Sequence, residues 1–134
     1  MKTAIIIVDH GSRNADSNAL LHTVAQRFFE LYHTRYPIVE PAHMELAQPS
    51  IAEAFQNCVE RGADRVIIAP YFLGPGKHWT IDIPNLLANA AQPYPFVDYA
   101  LAGPLGVDEL TLRLLDKRIE EALDGSSIGE LQRI

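Results

Sequence analysis

Two short runs that are apolar at every position, Ala4–Val8 and Val66–Ala69, constrain the fold more than any other feature of the sequence. A strand with one solvated face alternates apolar and polar residues, whereas a strand of a parallel sheet that is covered on both faces is apolar throughout. The two runs therefore predict an α/β sheet with helices on both sides. A chain of 134 residues is long enough for one such domain.

Turn formers and helical patterns divide the chain into four strand–helix units. We predict strands at 4–8, 38–46, 65–72 and 96–101, and helices at 17–36, between Ser50 and Gly62, at 83–91 and at 108–123. Pro41 cannot donate a ladder hydrogen bond, so the second strand is expected at an edge of the sheet. Right-handed crossovers then give a four-stranded parallel sheet of order 2-1-3-4 in a three-layer αβα sandwich. We expect residues 1–124 to form this single domain and 125–134 to form a partly disordered C-terminal tail.

The helices show apolar stripes at helical spacing, which predict the faces that they bury. Ser50 and Glu53 have the spacing of a capping box at the start of the second helix. On that helix the predicted buried residues are Ile51, Ala54, Phe55, Cys58 and Val59, with Cys58 as a core residue and not a reactive thiol. On the first helix they are Leu21, Val24, Phe28 and Leu31, and on the last they are Leu112, Leu115, Ile119 and Leu123.

Charge and cysteine content exclude several classes of function. The net charge of -6 argues against non-specific binding to nucleic acid or to an anionic membrane, because both need a basic surface. Cys58 is the only cysteine, which rules out an internal disulfide and a cysteine-based zinc or iron–sulfur site within one chain. The first apolar run is too short for a signal peptide, and no stretch approaches the length of a membrane span. We expect a soluble, cytoplasmic protein.

Three side chains with metal-binding chemistry follow three neighbouring strands. His10 lies just past the first strand, Glu45 at the end of the second and His78 just past the third. Adjacent strands are about 4.8 Å apart, so side chains at the same edge can meet around one point. Two imidazoles and a carboxylate suit a borderline divalent ion such as Fe²⁺, Co²⁺ or Ni²⁺. The same groups also suit general acid–base chemistry, and taken singly each has a plainer explanation as a turn residue or a solvated strand end.

Two further residues near this edge have open interpretations. His43 points the same way as Glu45 along the second strand. It is either a partner that orients this candidate ligand without touching the metal, or simply a hydrogen-bonded polar residue. Asp82 either orients His78 or caps the following helix, and the cap is favoured.

The motifs that carry this chemistry resemble those of a known enzyme family. VDHGSR at 8–13, EPAHMELAQPSI at 40–51, and PGKHW at 75–79 with DIP at 82–84 are similar to the short-form sirohydrochlorin chelatases, the small CbiX and SirB group of class II chelatases. The resemblance covers nearly the whole chain in the same order and spacing, and the last two motifs are most similar to the plant and cyanobacterial siroheme ferrochelatases. The chain lacks the cysteine-rich C-terminal cluster of the plant relatives and the His-rich segment of some archaeal and bacterial members.

The resemblance implies an ATP-independent lyase that inserts a divalent metal, Fe²⁺ or Co²⁺, into sirohydrochlorin for siroheme or cobalamin synthesis. The metal, which Ni²⁺ could also be, is then a substrate, and no other cofactor is expected. The family's catalytic and metal-handling positions fall on His10, Glu45 and His78. Sirohydrochlorin carries many carboxylates, and the candidates to bind them are Gly11, Ser12, Arg13 and Lys77. Because one sheet looks too small to enclose a tetrapyrrole, we expect a homodimer with the active site built from two copies.

Two other classes of function remain open on the sequence. A histidine-phosphatase-like enzyme also begins with a strand followed by His-Gly, although Asp9 would repel a phosphate here. A non-catalytic metal or tetrapyrrole carrier would bind the same ligands without accelerating metal insertion. The ligand set does not choose between iron, cobalt and nickel.

Overall fold

The computed structural model describes residues 1–74 and 76–125, without the side chains of residues 77–79. Four strands alternate with four helices: β1 (Thr3–Asp9), α1 (Ala15–Tyr32), β2 (Ile38–His43), α2 (Ile51–Glu60), β3 (Arg65–Pro70), α3 (Lys77–Ala91), β4 (Asp98–Leu101) and α4 (Glu109–Leu123). The strands pair in parallel in the order β2-β1-β3-β4. The predicted α/β class and strand order are therefore confirmed. Of the predicted tail, residues 126–134 lie outside the described residues.

The central strand β1 is buried on both faces, as its apolar run predicts. Ala4, Ile6 and Val8 face α2 and α3 in the larger hydrophobic core. Ile5 and Ile7 face α1 in a smaller core on the opposite side of the sheet. Alternate residues of β1 thus pack against helices on opposite sides of the sheet. Both faces of the strand are therefore apolar, and no polar residue interrupts the run.

Strand β2 lies at the edge of the sheet, as Pro41 predicts, but it is shorter than the sequence suggests. It ends at His43 and not at Leu46. The backbone N–H of His43 donates to the carbonyl of Pro49 at 2.8 Å, and a bridge joins His43 to Ser50. Leu46 then has a positive φ of 69°. The chain therefore turns back at this point to enter α2, and Glu45 lies beyond the end of the strand.

Helix α1 ends at Tyr32, four residues before the predicted end at Tyr36. Its buried face contains Leu21 and Ala25, while the predicted core residue Leu31 is 75% exposed. The prediction for Leu31 is wrong because it lies outside the face of α1 that packs on the smaller core, a face formed by Leu21, Val24, Ala25 and Phe28. No helix within the described ranges is both long and apolar enough to cross a membrane.

Helix α3 begins at Lys77, six residues before the predicted start at Ile83, so the predicted loop at 77–82 is helical. Pro84 lies inside the helix and removes one backbone hydrogen bond, which a sequence pattern reads as a break. Packing on the larger core holds the helix on both sides of this proline, through Ile83, Leu87, Ala90 and Ala91. The N-cap is Gly76, so the prediction that Asp82 caps this helix is wrong.

Helix α2 matches its prediction in its cap and in most of its stripe. Ser50 and Glu53 form the capping box, Val59 is partly buried, and the other four predicted residues are buried: Ile51, Ala54, Phe55 and Cys58. Helix α4 also has a capping box, formed by Asp108 and Thr111, but it buries none of its residues. The predicted core residues of α4 are between 50% and 65% exposed: Leu112, Leu115, Ile119 and Leu123. The prediction that they are buried is therefore wrong for a single copy of the chain.

Candidate functional site

The ends of β1 and β2 stay paired beyond the last rung of the sheet. The N–H of Met44 donates to the carbonyl of Asp9 at 2.9 Å, and the N–H of Glu45 donates to the carbonyl of His10 at 3.1 Å. These bonds continue the parallel ladder past Asp9 and His43, which are the final registered pair. The backbone therefore places His10 and Glu45 side by side at the carboxyl rim, by which we mean the edge of the sheet where the strands end.

The side chains of His10 and Glu45 converge at this rim, as the sequence predicts. His10 Nε2 lies 3.4 Å from Glu45 Oε1, and the two side chains are 42% and 55% exposed. A nitrogen and a carboxylate oxygen at this separation offer two ligands to one cation, and their exposure lets an ion approach from solvent. The same pair can also share a proton.

Gly11 allows the close approach of these two segments. Its φ is 93°, and a Cβ built on it would lie 1.9 Å from the carbonyl oxygen of Glu45 and 3.2 Å from His43 Cβ. No side chain fits in that space, and the positive φ disfavours any residue other than glycine. The glycine of the HGS motif therefore has a packing role here, in addition to the substrate contact predicted for it.

Behind His10 and Glu45, the side chains of Asp9 and His43 are joined by a hydrogen bond. His43 Nδ1 lies 2.6 Å from Asp9 Oδ1, with the imidazole fully buried and the carboxylate side chain about a quarter exposed. The ring of His22 on α1 lies 5.7 Å from that of His43, centroid to centroid. The sequence pattern singles out His43 but does not identify Asp9 as its partner. Strand register holds the missing signal, because both residues end adjacent parallel strands.

The serine of the HGS motif is largely occupied by its own loop. The N–H of Ser12 donates to Asn18 Oδ1 at 2.9 Å, and Asn18 Nδ2 donates back to the carbonyl of Ser12 at 2.7 Å. Ser12 Oγ accepts a hydrogen bond from the N–H of Asn14 at 3.0 Å. Its hydroxyl hydrogen can still reach a ligand, and the side chain of Arg13 is exposed next to it. These contacts fix the loop that carries His10 and leave one donor and one cation facing solvent.

The third predicted ligand, His78, lies in the first turn of α3 together with Lys77. The side chains of both residues are outside the described residues, so their part in the site stays a prediction. Among the side chains that are described, no group of three His, Cys, Asp or Glu residues is arranged to hold a metal. Glu45 and Asp82 line one surface depression of about 280 Å³, which brings the middle of α3 next to the end of β2.

An apolar cavity of about 300 Å³ lies at the ends of β3 and β4. Phe72 and Ile83 form part of its wall, and the turn at 101–104 closes it. Phe72 also packs on the larger core. The carboxyl rim thus combines polar groups at the β1–β2 end with an apolar surface at the β3–β4 end.

Comparisons with known proteins give a consistent result. A protein-family model described as CbiX matches residues 4–122. The chain is 51% identical over 119 residues to the chloroplastic sirohydrochlorin ferrochelatase of Arabidopsis thaliana, covering 89% of the chain and 52% of that relative. It is 32% identical over 123 residues to the sirohydrochlorin cobaltochelatase of Sulfurisphaera tokodaii, covering 92% of the chain and 96% of that relative.

A solved structure shows the same fold. SirB from Bacillus subtilis with Fe³⁺ matches with a TM-score of 0.79 at 30% identity, over 91% of this chain and 48% of that one. The chain spans about half the length of several curated relatives that it matches, including the Arabidopsis protein. The Sulfurisphaera protein is close to the chain in length.

Proposed function

The chain belongs to the CbiX family, and we propose that it inserts Fe²⁺ or Co²⁺ into sirohydrochlorin without ATP, for siroheme or cobalamin synthesis. The observation that carries this proposal is the approach of His10 Nε2 to within 3.4 Å of Glu45 Oε1 at an open rim of the sheet. Relatives named as sirohydrochlorin ferrochelatase and cobaltochelatase support the reaction and leave the choice of metal open. The metal is a substrate, and we propose no separate cofactor.

Metal insertion has three requirements, and the residues at the rim suit each of them. The ion must lose bound water, two pyrrole nitrogens must lose their protons, and the ion must then reach a face of the ring. We propose that His10 is the principal ligand and base, that Glu45 balances the charge of the ion and accepts protons, and that His78 is a second ligand. One imidazole nitrogen cannot bind the ion and accept a proton at once, so a neighbouring carboxylate is useful.

The carboxylates of sirohydrochlorin need local donors, because the protein as a whole carries a net charge of -6. We propose that Arg13 and Lys77 supply the cations and that the loop at Gly11 and Ser12 supplies hydrogen bonds. Arg13 is exposed, and the hydroxyl hydrogen of Ser12 is available for this purpose. The apolar cavity at the ends of β3 and β4 offers a surface for the edge of the macrocycle.

An anaerobic insertion assay tests the proposed reaction. Initial rates for Fe²⁺, Co²⁺ and Ni²⁺ should exceed the uncatalysed rates, and His10→Ala should lower the rate at least about 100-fold because it removes the base. The matched control is His33→Ala, which removes an exposed imidazole at the end of α1 and should keep the normal rate. Wild-type protein that binds both ligands without accelerating insertion would show a carrier instead of an enzyme. A His10→Ala variant with near-normal turnover would contradict the role of His10.

The contacts of His10 disfavour a phosphoryl-transfer enzyme. Phosphorylation would place a dianionic group on an imidazole whose Nε2 already faces the Glu45 carboxylate at 3.4 Å, with the Asp9 carboxylate next in the chain. Like charges at such separations repel. A screen with a generic phosphatase substrate should therefore find no activity above background.

We further propose that the active enzyme is a homodimer joined through α4. Six apolar side chains of α4 are between 49% and 70% exposed: Leu110, Leu112, Leu114, Leu115, Ile119 and Leu123. A helix with this much exposed apolar surface marks an interaction site. Relatives of about twice the length have a second half that could fill this place, and we propose that a second copy fills it in a chain of this length.

The position of α4 also explains why a second copy would lie near the carboxyl rim. The N–H groups of Leu105 and Gly106, just before the helix, donate to the carbonyls of Phe72 and Leu73 at 3.0 and 2.8 Å. These bonds attach the start of α4 to the loop that leads to Lys77 and His78. A partner bound to α4 would therefore face the site and could enclose a tetrapyrrole.

Light scattering tests the dimer. The wild-type mass should be twice 14.9 kDa, and Ile119→Glu should give a folded monomer with little insertion activity because a charge would be buried at the interface. Leu20→Glu is the matched control, since Leu20 is also an exposed apolar residue, on α1, and should leave the dimer intact. A wild-type protein that is monomeric and fully active at assay concentration would contradict the proposed dimer.

We keep the cytoplasm as the proposed location. The Arabidopsis relative is described as chloroplastic, which makes an organelle the alternative location. Fractionation of the source cells followed by immunodetection would decide it, and recovery of the protein in an organelle or envelope fraction would contradict the proposal.

A further inference from the structure

We infer that Asp9 and His43 are a positioning pair, which holds the ends of β1 and β2 so that His10 and Glu45 face the same cation. The inference rests on the proposed function, because it concerns the metal site that this function needs. Neither residue is proposed to touch the metal. Their effect is transmitted through the backbone, since Asp9 directly precedes His10 and His43 lies two residues before Glu45.

The contacts show how the pair can act. Asp9 and His43 form the last registered rung of β1 and β2, and their side chains add a 2.6 Å bond to that rung. The next two backbone bonds run from Met44 to Asp9 and from Glu45 to His10. The side-chain bond therefore lies at the base of the short ladder that fixes the separation of His10 Nε2 and Glu45 Oε1.

His43 is also held from its other side. Its backbone N–H donates to the carbonyl of Pro49, which anchors the strand end to the entrance of α2. A shift of the imidazole would therefore move a segment that is bonded to two elements, and Glu45 would move with it. The absence of space for a Cβ at Gly11 makes this junction intolerant of such a shift.

The bonding of the imidazole argues against a role in stability alone. An ionised carboxylate can only accept, so Nδ1 carries the hydrogen that it shares with Asp9. The other ring nitrogen, Nε2, is buried and has no hydrogen-bond partner among the described residues. A buried polar atom without a partner is unfavourable, and an apolar side chain in this place would avoid the penalty. The benefit of the histidine therefore lies in the bond that it makes to Asp9.

Two amide variants of His43 separate positioning from filling of the core. The side-chain nitrogen of Asn lies near the place of Nδ1, whereas that of Gln lies near the place of Nε2. His43→Asn should keep the donor to Asp9 and bind Co²⁺ within about threefold of wild type. His43→Gln should lose that donor and bind Co²⁺ about 10- to 100-fold more weakly, as happens when the partner of a metal ligand is removed.

Anaerobic titration with Co²⁺ alone, followed by visible absorbance, measures both affinity and coordination. The spectrum of bound Co²⁺ should change in His43→Gln and stay the same in His43→Asn. Cys58→Ala is the control for loss of stability, because Cys58 is fully buried on α2 and away from the rim. It should lower the melting temperature and leave affinity and spectrum unchanged.

The outcomes distinguish this inference from the proposed function. Wild-type protein that does not bind Co²⁺ would contradict the proposed metal site. Wild-type binding together with an unchanged affinity and spectrum in His43→Gln would contradict the positioning pair alone, as would an equal loss of affinity in Cys58→Ala. If His43→Gln does not fold, Asp9→Ala removes the acceptor instead, and wild-type Co²⁺ affinity in that variant would overturn the inference.

Discussion

Helices α2 and α4 have the same local signals and opposite surroundings. Each begins with a capping box, from Ser50 and Glu53 in one and from Asp108 and Thr111 in the other. Each also carries a stripe of apolar residues at helical spacing. Helix α2 buries its stripe against the sheet and α3, whereas every residue of the α4 stripe is exposed in the single chain.

The difference shows what an apolar stripe does and does not specify. Periodicity indicates which face of a helix is suited to burial, because residues three and four apart lie on the same side. It carries no information on whether the covering surface belongs to the same chain or to another. For α2 that surface is the sheet, and for α4 we propose that it is a second copy.

The largest expected difference in folding free energy between the two helices comes from truncating one apolar residue in the stripe of each. Phe55→Ala should cost about 3–5 kcal/mol of folding free energy because it leaves a cavity in the core. Leu115→Ala should cost about 0.5 kcal/mol or less in an Ile119→Glu background, where the chain is expected to be monomeric. Urea unfolding of the two variants in this background measures the contrast. Equal costs would show that α4 packs on its own chain.

Removing the N-cap side chains should give a smaller difference in stability between α2 and α4 variants, in the same direction. Ser50→Ala should lower the global free energy of unfolding by about 1 kcal/mol, because α2 unfolds together with the core that it covers. Asp108→Ala in the monomeric background should leave the global value nearly unchanged and speed hydrogen exchange in α4, since an unpacked helix opens locally. A loss of about 1 kcal/mol in the global free energy of unfolding in both variants would contradict the expectation that α4 opens separately from the core.

The burial of Cys58 on α2 predicts that the stability of the protein depends on pH in the alkaline range. Burial, together with a smaller effect of the nearby Glu40 carboxylate, raises the pKa of the Cys58 thiol to about 12, and Arg61 acts in the opposite direction. The unfolded thiol loses its proton near pH 9. The contribution of the thiol to stability is therefore complete below about pH 9 and is lost as the pH rises towards 12.

Urea unfolding across the alkaline range measures this effect by comparing wild type with Cys58→Ala. The wild type should lose stability more steeply between about pH 9 and pH 10.5, because its folded state retains a proton that the unfolded state releases. Parallel pH profiles for the two proteins would mean that water reaches the thiol and that the covering by α2 is incomplete.

The smallest expected contrast concerns ion pairs on the two helices. Arg61 follows α2 and contacts Glu40 on β2 at 2.9 Å, whereas Arg113 contacts Glu109 at 2.8 Å within α4. Arg61→Gln should cost about 0.5–1 kcal/mol, because Glu40 is mostly buried and the pair joins two elements. Arg113→Gln should cost less than about 0.5 kcal/mol, since its partner is exposed on the same helix. Thermal unfolding of both variants at low and high salt would measure the two costs. Equal costs would contradict the expected difference between the ion pair of α2 and that of α4.

Much of the candidate site was predictable because parallel strands end at one edge. His10 and Glu45 follow adjacent strands, and the backbone bonds beyond the last rung bring their side chains together as predicted. The Asp9–His43 bond was not predicted, because the pattern shows which way a strand residue faces and not which side chain on the next strand it meets. The early start of α3 was missed because Pro84 reads as a helix break, whereas packing of Ile83 and Leu87 holds the helix together.

The sequence by itself determined the order of the strands, the edge position of β2, the capping box of α2 and the burial of β1 on both faces. The capping box and the burial of β1 depend on neighbours within a few residues, which a linear pattern records. The strand order follows from the edge position that Pro41 requires and from the fixed handedness of crossovers between parallel strands. The tertiary structure alone decided where α3 begins, that Asp9 meets His43, and that the apolar face of α4 stays exposed among the described residues. Such outcomes depend on which distant surfaces meet and how much apolar area they bury together, and no local pattern contains that information.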